Sequence, residues 1–106
     1  KVIMPFGVMG GQYQSTGHAR LVSNVVDYDM PVQEAIDAPR SFAADGKLQL
    51  ERGYSANVRN DLMTMGHDIT IPDVAIGGAQ AIVINHETGV LEGGSDPRKD
   101  GCALGY

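Results

Sequence analysis

The chain has 106 residues, 42% of them hydrophobic, with Lys+Arg 8 against Asp+Glu 13 and a formal net charge of −5. That length allows a single domain over residues 1–106 with a modest core, and the scattered basic residues of an acidic chain exclude nucleic acid as a partner. Cys102, the one cysteine, leaves no internal disulfide and no Cys/His metal spacing, and no apolar run approaches the roughly 20 residues that span a bilayer, so no membrane insertion by this chain is expected.

The chain opens on Lys1, Val2 and Ile3 with no initiator Met and no leader, as though entering a strand in progress, and is expected to be soluble. Lys1 to Val8 reads as a short strand with a late proline. A glycine turn follows. From Gln14 to about Tyr28, Ala19, Leu21, Val22, Val25 and Val26 recur at helical spacing and predict one buried face, with Gly17 weakening the first turn. In "DMPVQEAIDAPR" a second helix begins near Pro31, buries Val32, Ala35 and Ile36, and stops at Pro39. "KLQLERG" alternates as a strand with one wet face. Ser55 is placed to cap a helix carrying Val58, Leu62 and Met65, which Gly66 ends. "HDITIP" has a short strand pattern. "AQAIVIN", "HETG" and "VLEGG" read as a hairpin with Gly89 in its turn. The order is mixed α and β, with no repeat or linker.

The stretch "PFGVMGGQYQS" asks for more than punctuation. Gly10 and Gly11 allow positive φ and leave the main chain open to a ligand, at the entrance to a helix whose first amides lack partners. Spacing alone leaves two readings, a tight strand-to-helix turn or a backbone site for a negative oxygen. His18, His67 and His86 stand apart and read as surface or turn residues, and the five methionines as core filling. Asp96, Pro97 and Arg98 read as a turn lock in which the carboxylate accepts local amides and the guanidinium pairs nearby. Arg40 reads as a packing or ion-pair residue.

Four stretches, "GVMGGQYQ", "VVDYDMPVQEAIDAPRSF", "LQLERGYSANVRNDLMTMGH" and "GVLEGGSDPRKDGCALGY", together resemble the C-terminal part of the small subunit of gamma-glutamyltranspeptidase, over essentially the whole chain. The resemblance implies a fold of the α/β (α+β) class, part of the four-layer αββα sandwich of an N-terminal nucleophile hydrolase. It implies a parent enzyme that cuts itself into two subunits and exposes a threonine with its own α-amino group as base. That threonine would take a γ-glutamyl group from glutathione-like donors, and the acyl-enzyme would pass it to water, amino acids or peptides, with no metal or organic cofactor. Implied partners are the remainder of the small subunit, the large subunit and a small-molecule γ-glutamyl substrate.

Thr16, Thr64, Thr70 and Thr88 do not match the family's nucleophile motif, so the segment is expected to be inactive alone. Within the resemblance, Gly10 and Gly11 match the paired glycines whose amides form the oxyanion hole. The flanking "VM" and "QYQ" lack the serines of glutathione-cleaving members, which points to another γ-glutamyl compound or a glutaryl-type amide as donor. Two alternatives stand beside this expectation: a cephalosporin- or glutaryl-acylase-like fragment, and a catalytically silent scaffold in which Gly10-Gly11 is only a turn. A threonine behind a self-cleavage junction upstream would favour an enzyme.

Overall fold

The computed structural model describes residues Lys1–Tyr106, with β1 (Phe6–Met9), a 3-10 turn (Gly11–Tyr13), α1 (Gln14–Val26), α2 (Val32–Asp37), β2 (Ser41–Ala44), β3 (Lys47–Leu50), α3 (Ala56–Thr64), β4 (Ile69–Thr70), β5 (Gly78–Ile84) and β6 (Leu91–Ser95). They fall into two compact units: residues 1–37 with 77–106, and residues 38–76. The fold is α+β, as the sequence predicts. No helix is long and apolar enough to cross a membrane.

The first unit is built on an antiparallel sheet in the order β1-β5-β6, with Phe6 opposite Ala81, Val8 opposite Ala79 and Ala81 opposite Gly94. The regular part of β1 starts later than Lys1 because Pro5 has no N–H to donate. Ile3 and Pro5 still accept hydrogen bonds from Ile84 and Ile82, so the extended pairing continues one-sidedly. Val8, Ala79 and Ala81 are buried together with Leu21 of α1 and Val32, Ala35 and Ile36 of α2. Ile36 is 0% exposed, and burying such a side chain contributes about 1.5–3 kcal/mol. A Cβ on Gly94 would lie 2.7 Å from Ile36 Cδ1, so the missing side chain on β6 makes room for α2.

The buried stripe of α1 differs from the expected one. It runs through Gly17, Leu21 and Asn24, whereas Val22 and Val26 are exposed. Gly17 is a contact rather than a weak point: a Cβ there would sit 2.6 Å from the Tyr13 ring and 2.7 Å from Val8. Buried Asn24 ties α1 to α2 by donating to the Ala35 carbonyl at 3.2 Å.

Side chains from the helices also cover the outer edges of this sheet. The Val8 amide donates to His18 Nε2 (3.3 Å), while Nδ1 of the same ring bonds the Gln14 carbonyl (2.6 Å), which assigns the proton to Nδ1. On β6, the Gln33 amide group donates to the Ser95 carbonyl (2.9 Å) and accepts from the Ser95 N–H (3.0 Å), mimicking one rung of a strand.

In the second unit β2 pairs antiparallel with β3, and β4 lies parallel to β3, with Leu48 opposite Ile69. The sequence reading leaves β2 unassigned. Its signal is Asp45-Gly46, whose φ values of 53° and 75° make the two-residue turn that favours Asp-Gly between paired strands. Ser55 caps α3 as expected by accepting from the Val58 amide, and Gly66 follows at φ 98°. No residue of α3 is fully buried: Leu62 is half-buried, whereas Val58 and, at the C-cap, Met65 are exposed. None of the five methionines is fully buried within this segment: Met4 and Met30 are half-buried and Met9, Met63 and Met65 exposed, in place of the expected core filling.

Candidate active site

β1 delivers the chain to Gly10 and Gly11. Gly10 has φ 147° and ψ 22°, and Gly11 has φ 58°, a left-handed conformation in which a Cβ is strained. The Gly10 carbonyl accepts from the Tyr13 amide at 3.1 Å and starts the 3-10 turn, which runs directly into α1. Both glycines are exposed, and neither amide donates a hydrogen bond within the chain. A Cβ on Gly11 would meet nothing within 4 Å, so that side of the turn is open.

The inner side is crowded. A Cβ on Gly10 would lie 3.2 Å from the Gly77 Cα and 3.2 Å from the Tyr13 ring. Gly77 has φ 63°, and a Cβ there would stand 2.5 Å from the Met9 carbonyl oxygen. Tyr13, 3% exposed, lays its ring against Gly10, Gly17 and Gly77. Sequence reasoning missed this anchor. The dipeptide Gly77-Gly78 ahead of a strand was its only trace, since a glycine inside a strand edge often marks a close backbone approach.

The acidic and basic residues of the conspicuous motifs hold the scaffold. Asp96, 1% exposed, accepts from the Ala79 amide through Oδ2 (2.7 Å) and from the Arg98 amide through Oδ1 (2.9 Å). Arg98 Nη1 donates to Asp96 Oδ1 (3.1 Å) and to the Ile36 carbonyl (3.0 Å), so "SDPR" clamps the end of β6 to β5 and α2. In the second unit Glu51 accepts from the amides of Arg40 (2.8 Å) and Ile76 (3.2 Å), and Arg40 Nη1 donates to the Ile76 carbonyl (2.8 Å). Both match the structural reading of these residues. Thr88 lies in the β5–β6 turn and Thr16 within α1, neither placed as a nucleophile. No three His, Cys, Asp or Glu side chains gather as a metal would require. A cavity of about 410 Å³, lined by Gln80, Ile82, Leu91, Gly93, Cys102 and Leu104 among others, lies along β5 and β6 and includes none of the glycine-turn residues.

The sequence model of gamma-glutamyltranspeptidase matches residues 1–106. The chain belongs to the gamma-glutamyltranspeptidase family. Among its relatives is the oxamate amidohydrolase proenzyme of Klebsiella pneumoniae subsp. pneumoniae, 34% identical over 98% of this chain and 21% of the relative. The glutathione hydrolase proenzyme of Bacillus subtilis is 31% identical over 86% of this chain and 17% of the relative. Among solved structures, cephalosporin acylase from Bacillus halodurans superimposes with a TM-score of 0.90 at 36% identity, over 100% of this chain and 21% of that one. The chain therefore spans about a fifth of the length of these family members, which are enzymes made as larger proteins. The fold is that of the family's N-terminal nucleophile hydrolases.

Proposed function

We propose that residues 1–106 form one section of the small subunit of an acyl-transferring amide hydrolase, and that Gly10 and Gly11 supply its oxyanion hole. The observation that carries this reading is the glycine turn itself: two consecutive exposed amides with no acceptor in the chain, held at the end of β1 beside an open face. Donors fixed in a rigid turn stabilise a tetrahedral oxyanion without reorganising as the charge develops. The nucleophile, a threonine with its own α-amino group as base, and the groups that hold the donor would come from the remainder of the small subunit and the large subunit. The donor is a γ-glutamyl compound related to glutathione but not necessarily glutathione itself, since the flanks of the glycine pair lack the serines of glutathione-cleaving members, and its acyl group passes through an acyl-enzyme to water, an amino acid or a peptide. A second reading, cleavage of a glutaryl- or cephalosporin-type amide, is favoured by the 36% identity to the cephalosporin acylase.

The test is Gly11→Ala in the full-length protein that carries this segment. The new Cβ projects into open space, where this reading has the substrate carbonyl approach, and strains a residue at φ 58°. Acylation is expected to slow by roughly 10² or more with the Michaelis constant little changed, as for loss of one oxyanion donor. An acylation rate within about twofold of the parent would remove the oxyanion assignment and leave the scaffold reading. Comparing γ-glutamyl and glutaryl anilides on the unaltered protein separates the two donor readings.

A further inference from the structure

Gly77 comes from the far side of the chain, 67 positions after Gly10, yet its Cα is one of the nearest atoms to the space a Gly10 side chain would fill. Three contacts meet there. The Met9 carbonyl, the last of β1 before the turn, would be 2.5 Å from a Cβ on Gly77, well inside any real carbon–oxygen contact. The Tyr13 ring would be 2.8 Å from that same Cβ, and it closes the other end of the turn, where the Tyr13 amide already bonds the Gly10 carbonyl. The ring is itself fixed, since Gly17 one turn into α1 leaves room for it and it is 3% exposed. Both ends of the Gly10-Gly11 turn therefore rest on one backbone position that has no side chain.

From this we infer that Gly77, with the Tyr13 ring seated on it, is the positioning element of the Gly10-Gly11 amides. It touches no reacting atom. Its role is to hold the Met9–Gly10 peptide and the start of the 3-10 turn at one height above β5, so that the two amides keep a fixed direction. A Cβ at Gly77 cannot be absorbed by a flexible side chain, because the atom it meets is the Met9 carbonyl; the turn itself must move. A displacement of about 1 Å at a catalytic group costs roughly 10² in rate. The inference rests on the oxyanion reading, and its test is arranged so that the two fail separately.

In the full-length protein, Gly77→Ala, Gly78→Ala, Tyr13→Leu and Gly11→Ala are compared by single-turnover acylation with the anilide the protein cleaves, by Michaelis constant, and by affinity for a boronate analogue of the tetrahedral adduct. Gly78→Ala is the matched control, because the three atoms nearest its Cβ all belong to the flexible Lys99 side chain and none to the backbone. The expected result for Gly77→Ala is acylation slowed by roughly 10², boronate affinity reduced in parallel, and the Michaelis constant within about twofold, with Gly78→Ala near the parent in all three. A merely structural glycine would lower the yield of folded enzyme and leave those ratios unchanged. If Gly77→Ala does not fold, Tyr13→Leu decides, with a parallel loss of acylation and boronate affinity expected. Where Gly11→Ala slows acylation but the folded Gly77→Ala, or in its absence Tyr13→Leu, stays within about twofold of the parent, the positioning role is overturned while the oxyanion hole stands. Where Gly11→Ala is also silent, both are overturned.

Discussion

The chain contains two turns of similar local chemistry and different surroundings. At Gly10-Gly11 and at Asp45-Gly46 the backbone enters positive φ next to a strand, and at both Gly11 and Gly46 an added Cβ would find open space. The hairpin turn closes β2 onto β3, with no backbone packed beneath Gly46 within 4 Å of where its Cβ would lie. The other is held from beneath by its own Tyr13 ring and by Gly77, which comes from a segment remote in sequence. Positive φ thus tells where a chain bends, whereas a second layer of contact under the bend tells where a bend is kept in register for something outside it.

The strongest way to break this comparison is to test the anchored turn apart from the rest of the protein. The isolated segment is expected to release no chromophore from a γ-glutamyl anilide, because on the proposed reading it supplies oxyanion donors without a nucleophile, which stabilise nothing that forms. Turnover above the buffer blank that persists through further purification would sink this expectation.

Next in size is the clamp beneath the strands that carry the anchor. Asp96→Ala removes a carboxylate with no exposed side-chain surface and leaves Arg98 and the Ala79 amide without it, so the full-length protein should lose about 3 kcal/mol of stability. Denaturant unfolding reads this directly; a loss under about 1 kcal/mol would mean that water replaces the carboxylate without penalty.

Gly46→Ala sharpens the contrast from the other side. The strain of a non-glycine residue at φ 75° should cost about 1 kcal/mol of stability, with turnover per folded molecule unchanged. A selective fall in turnover at Gly46 would show that the two turns do not differ as described. The smallest effect is Ser55→Ala, which removes the acceptor for the Val58 amide and should cost about 1 kcal/mol or less, since the cap lies on exposed α3. Thermal melts of the parent and variant side by side suffice to check it.

These contrasts also explain what the sequence made legible. Helix α2 and its buried residues Val32, Ala35 and Ile36 were readable because proline boundaries and apolar spacing agree. The Ser55 cap, the Gly66 stop and the β5–β6 hairpin were readable for the same reason, as local signals. Asp96 and Arg98 were legible as a lock because they stand two residues apart. Tyr13, Gly17 and Gly77 were not, because their meaning lies in a contact between residues far apart in sequence, and a glycine read alone is only a flexible position. Likewise Val22 and Val26 fit the helical period of α1 but lie outside the stripe that Tyr13 and Gly17 define. The role of His18 on the open edge of β1 has no sequence signal at all.

The division of the chain into one continuous unit and one assembled from two separated pieces has a consequence for the order of folding. During synthesis from the N-terminus, residues 38–76 are complete before β5 exists, and the Asp45-Gly46 hairpin has the shortest loop to close. β1 must wait with its inner edge unpaired until roughly seventy further residues have emerged. Pulse-labelled hydrogen exchange during refolding should therefore find the β2 and β3 amides protected before those of β1 and β5, and simultaneous protection would contradict this order. The turn at the end of β1 would then be among the last features to take its final form, because the backbone that fixes its height arrives with Gly77.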